Sequence, residues 1–165
     1  MHLFRYIIKS IFLLFILVTP LKANTIYNLI RIPNLEIYET NTSNKLKYFS
    51  AAKPFRLGVL KNIKCFNPDQ KTLEKKYKII SKNLNRYSDK FLKKINLKYV
   101  VLCENLSISG INTAGIPDNK MKTLILDIKF NETYFERVIH HEVFHVINDS
   151  FKEKFNNKKW AKLNK

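Results

Sequence analysis

The chain has 165 residues, 45% of them hydrophobic and 13% aromatic, with a formal net charge of +17. That apolar content excludes a disordered protein, and the length suits one domain with a single modest core. Lysine and asparagine are spread along the chain, and no basic run is interleaved with aromatics as in a nucleic-acid module. Specific nucleic-acid binding is therefore not expected, while weak attraction to anionic surfaces or polymers is.

At the N-terminus, Arg5 and Lys9 precede the apolar run Ile11 to Val18, which is followed by Thr19-Pro20-Leu21-Lys22-Ala23. This is the layout of a signal peptide. The run is well short of the roughly 20 residues that cross a bilayer. Residues 1–23 are thus expected to be cleaved, leaving an exported domain over 24–165, periplasmic, envelope-associated or secreted, with no stable membrane span. An uncleaved anchor is the alternative, because Leu21 is large for a cleavage box. Cleavage removes Arg5, Lys9 and Lys22 and no acidic residue, so the remaining net charge is +14.

The first zone, roughly Thr25 to Phe66, carries branched apolar residues in Ile26 to Ile32 and Leu57 to Ile63. Both read as strands, separated by the polar stretch Asn41 to Lys47. Asn67 is the expected cap of a helix with Pro68 at its first position; Leu73, Tyr77, Ile80 and Leu84 then mark one apolar face and the intervening lysines a wet one. Ser88 caps a short continuation that buries Phe91, Leu92 and Ile95. Cys65 and Cys103 both fall in strand-like stretches of an exported chain, and the sequence is equally consistent with a bridge or with two buried thiols.

Tyr99 to Cys103 is a short apolar run typical of an interior strand, and Thr123 to Ile128 is a second. Between them, Ser109 to Asp118 holds two of the three glycines and a proline. It reads either as a plain connection or as a sheet edge, near Gly110 to Ile116, above a cleft where an extended peptide adds as a further strand.

Asn131 can cap a final helix through Glu132 to about Ser150. At about 100° per residue, Phe135, Ile139, Val143 and Val146 share one stripe, with His141 and His145 on the far side. Tyr134, Val138 and Phe144 flank the histidines, so this helix is expected to be buried between two layers. His141, Glu142 and His145 form H-E-x-x-H. Two imidazoles four residues apart on a helix lie on one side, close enough to bind one tetrahedral ion. Glu142 is placed beside them as a general base rather than a ligand. All three histidines downstream of residue 23 lie within 140–145. His140 points about 100° away from His141 and is expected to be a packing or rim residue.

The run His140-His141-Glu142-Val143-Phe144-His145-Val146-Ile147, followed by Phe151 and Trp160-Ala161-Lys162-Leu163-Asn164, resembles the zinc-binding metallopeptidases, zincins of gluzincin type, over about residues 98–164. The resemblance implies a zincin-like α+β fold, a small mixed sheet packed on a buried H-E-x-x-H helix. It also implies zinc held by His141 and His145, Glu142 as catalytic base, and hydrolysis of a peptide or protein substrate. The third ligand of that family is a glutamate on a later helix, whereas only Asp149 and Glu153 follow His145 here. On a straight helix they lie about 6 and 12 Å further along the axis. The expectation is a domain incomplete at its C-terminus, with a weak two-histidine site. A zincin-derived binding protein without turnover and a basic envelope protein that binds anionic polymers are the alternatives.

Overall fold

The computed structural model describes residues 34–52, 55–57, 63–154, 159 and 162. The expected signal segment, the expected strand Ile26 to Ile32, and Trp160, Ala161, Leu163 and Asn164 lie outside the described residues. The elements run β1 (Leu35–Glu39), β2 (Lys47–Ala51), β3 (Phe55–Leu57), β4 (Ile63–Phe66), α1 (Gln70–Leu84), α2 (Asp89–Lys94), β5 (Tyr99–Ile108), β6 (Ile111–Asn112), β7 (Gly115–Asp118), β8 (Thr123–Asp127) and α3 (Glu132–Ser150). The architecture is α+β, a mixed sheet with helices on one face. No helix among the described residues is long and apolar enough to cross a membrane.

Strand β5 organises the sheet. Its first half, Tyr99 to Cys103, lies parallel to β2 on one side and to β8 on the other. β1 and β7 close the two ends in antiparallel pairing with β2 and β8. Its second half turns to new antiparallel partners, β4 with β3 beyond it, and β6. Asn105, at the changeover, has φ 51°. The buried Asp127 carboxylate stabilises this point, accepting from the backbone N–H of Leu106 at 2.9 Å and of Lys129 at 3.0 Å.

Alternation along the central strands divides the core in two. Tyr48, Val100, Leu102, Leu124 and Leu126 meet the helices through Leu73, Ile80, Leu84, Leu92, Ile95, Phe135, Ile139 and Val143. Phe49, Tyr99, Val101, Cys103 and Ile125 form the opposite face with Ile63, Cys65, Leu106 and Ile116. Both faces of β5 are buried, which is why its sequence is a continuous apolar run rather than an alternating one. Cys65 and Cys103 are bridged across β4 and β5, with Cα atoms 5.7 Å apart.

Local signals explain the helices. Ser88 accepts from the N–H of Phe91, and Asn131 from that of Tyr134, capping α2 and α3. The start of α1 differs from expectation, because Asp69 rather than Asn67 caps it. The Asp69 side chain accepts from Thr72 N–H at 3.0 Å, so Pro68 precedes the cap. Leu73, Ile80 and Leu84 are buried as the spacing predicts, but Lys76 is buried with them. Its ammonium donates to the Phe130 carbonyl and lies 5.1 Å from the centre of the Phe135 ring. Of the expected strand Leu57 to Ile63, residues 58–62 lie outside the described residues, with Leu57 ending β3 and Ile63 beginning β4. Strand β2 departs from expectation by starting at Lys47, the last residue of the stretch read as a polar separator.

Two stability predictions follow from the core. The bridge spans 38 residues, so replacing both cysteines by alanine lowers stability by about 4 kcal/mol in the chain-entropy account, read as a fall in urea midpoint. The Tyr48 hydroxyl is fully buried and has no hydrogen-bond partner among the described residues, and burial raises its pKa. Tyr48→Phe therefore raises stability by about 1 kcal/mol in the same assay.

Candidate metal centre

The site is built on α3. Phe135, Val138, Ile139, Val143 and Val146 are buried against the sheet and α1, which fixes the rotation of the helix. His141 and His145 consequently face solvent on the opposite side. Their Nε2 atoms are 3.0 Å apart, with the rings 85° to one another. The two nitrogens are in hydrogen-bond contact, slightly closer than the roughly 3.3 Å that separates two imidazole nitrogens on one tetrahedral ion. The pair could supply two of the four ligands of a tetrahedral ion.

Contrary to expectation, α3 is not enclosed between two layers. Tyr134 is 47% exposed and Phe144 42%, and His141, His145 and Asn148 are exposed with them. The sheet and α1 cover one side of the helix, and among the described residues no element covers the other.

Glu142 takes a third direction, toward the sheet edge. It is 8% exposed, and burial raises its pKa while the nearby His141 and His145 act to lower it. Gly115 at the start of β7 makes this placement possible. A Cβ there would lie 2.4 Å from Cγ of Glu142 and 2.8 Å from Cδ, distances real side chains do not tolerate. The glycine-containing stretch is thus more than a connection, since β7 is an edge strand paired antiparallel with β8 through Gly115↔Leu126 and Ile116↔Ile125. Pro117 is admissible in such a strand because an edge need not supply every N–H. Thr113, Ala114, Tyr134, Arg137 and Val138 join His141 and Glu142 around a pocket of about 330 Å³. Sequence reasoning passed over Arg137, whose only signal is position, one turn before His141, whereas Thr113 falls within the stretch Gly110 to Ile116 read as a candidate sheet edge above a cleft.

His140 is a packing residue. Asn83 donates through Nδ2 to the Ile79 carbonyl, leaving its Oδ1 to accept from His140 Nε2–H at 3.1 Å. His140 Nδ1 then accepts from the Tyr87 hydroxyl at 2.8 Å. This chain of contacts ties α3 to the end of α1 on the flank away from Glu142. Neither later carboxylate completes the site. Asp149 accepts from the Asn119 side chain, and Glu153 is exposed in the turn after α3. Among the described residues, no group of three His, Cys, Asp or Glu side chains is arranged to hold a metal.

The contact between Gly115 and Glu142 is testable by a double-mutant cycle. Gly115→Ala lowers stability by about 1–3 kcal/mol through overpacking, and the loss disappears in a Glu142→Ala background, where Cγ and Cδ are gone. Equal losses in both backgrounds count against the contact.

Comparison of the chain with protein-family models, with characterised proteins and with solved structures gives no match.

Proposed function

We propose that this protein is an exported, zinc-dependent peptide-bond hydrolase of zincin lineage. The observation that carries the reading is the convergence of His141 and His145 Nε2 at 3.0 Å on an open helix face, with the Glu142 carboxylate beside them in a pocket under the sheet edge. The antiparallel edge strand β7 alongside the motif helix supports the finer, zincin-like reading of the fold. The buried bridge between Cys65 and Cys103 supports an oxidising compartment, in keeping with the signal-like N-terminus.

His141 and His145 would hold zinc, which when bound supplies a Lewis acid that polarises the scissile carbonyl and acidifies water. Glu142 takes a proton from the water that attacks the carbonyl carbon and passes it to the amine that leaves as the C–N bond breaks. Burial suits Glu142 to this exchange, because it makes the protonated form less costly than in an exposed carboxylate. The free side of β7 offers an extended substrate a backbone to lie against. A binding protein of the same lineage without turnover is the second reading, favoured by the lack of a third ligand among the described residues.

Zinc measured after equilibrium dialysis is expected at one ion per chain, removable by a chelator, and lost in His141→Ala and in His145→Ala. Hydrolysis of a mixed peptide library is expected to fall at least about a hundredfold in Glu142→Gln with zinc content unchanged. Undiminished hydrolysis in Glu142→Gln sinks the mechanism. Stoichiometric zinc without hydrolysis in the wild type favours the binding protein.

A further inference from the structure

Arg137 lies one helical turn before His141, about 6 Å along the axis, and lines the same pocket as His141 and Glu142. It is the only lysine or arginine among the lining residues. The neighbouring carboxylates of α3 are engaged elsewhere. Glu132 pairs with Lys75 at 2.6 Å, and Glu136 accepts from Asn83 on the α1 flank. No ion pair joins Arg137 to Glu142, and Arg137 has no hydrogen-bond or ion-pair partner among the described residues. Arg137 is exposed, and its guanidinium, free of partners among the described residues at the rim of the pocket, is a fork of donors shaped for a carboxylate.

We infer that Arg137 forms a carboxylate subsite beside the histidine pair, so that the site takes acidic peptides; this rests on the peptidase reading of the same pocket. The spacing suits two sources of the same group. With a scissile carbonyl at the histidine pair, a glutamate side chain on the next residue reaches about 6 Å away. A free chain terminus one residue further on reaches about 7 Å. Tyr134, exposed at the same wall, offers a ring and a hydroxyl to the flanking part of such a peptide.

The test uses calorimetric titration of the metal-free full chain with three short peptides of otherwise identical sequence, at about 0.15 M salt to screen the general positive charge. One carries glutamate and an amidated end, one glutamine and a free carboxylate, and one glutamine and an amidated end. At least one of the two acidic peptides is expected to bind about tenfold more tightly than the neutral one. Which of them does so tells a side-chain carboxylate from a chain terminus. Arg137→Gln removes the preference, whereas Lys78→Gln, an equal loss of charge on the exposed face of α1, preserves it. Equal affinity or no binding for all three peptides, or a preference that survives Arg137→Gln, overturns the subsite. Titration without metal does not read turnover, so failure of the peptidase reading shows separately, in zinc content and in the Glu142→Gln comparison.

Discussion

The rotation of α3 about its own axis is the constraint on which the site depends. Five apolar side chains, Phe135, Val138, Ile139, Val143 and Val146, are buried on one side, and successive residues on a helix differ by about 100°. A shift of the buried stripe by one residue would carry the histidines from solvent into the flank and Glu142 away from β7. Burying that stripe therefore does two things: it stabilises the domain, and it aims His141 and His145 together at solvent and Glu142 at the sheet edge. Lys76 beneath Phe130 and Phe135, and Asn83 against His140, hold the helix laterally from α1.

The open side of α3 has a chemical meaning. A tetrahedral ion held by two imidazoles keeps two positions free, and on an uncovered face both are accessible to water and substrate. An ion bound there would exchange readily with its surroundings. Glu142 is placed differently, at the shielded margin of the same site, where its proton affinity is set by burial against the pull of the two histidines. An exposed histidine pair and a shielded carboxylate thus share one turn of helix.

Much of this was legible in the sequence, for reasons that can be named. Ser88 and Asn131 cap as their positions suggest, because a side-chain oxygen three residues before an unpaired N–H is a local property. The continuous apolar run at Tyr99 and the periodic stripe of α3 are likewise sequence signals that tertiary packing then used. Asp69 outcompeted Asn67 as the cap of α1 because both precede the helix by plausible distances, and only the bond to Thr72 decides between them. Strand β2 was hidden because it is five residues long and begins with a lysine. The exposure of Tyr134 and Phe144 was not readable either, since apolar character shows that a side chain can be buried but not that an element exists to bury it. Gly115 touches Glu142, and Arg137 lines a pocket, only once the chain before β8 meets α3, and no local pattern reports such a meeting.

The position of β5 also bears on how the chain reaches this state. It pairs in parallel with β2, about fifty residues earlier by register, and with β8, some two dozen later. Parallel neighbours cannot be gathered by tight hairpins, so assembly of the sheet waits on the closure of long loops. Topologies dominated by such distant pairings fold slowly. α3 docks on a face that exists only once β8 is in place, and Glu142 finds its shelter only once β7 is paired. The three residues of the motif thus reach their arrangement only once β7, β8 and α3 have met.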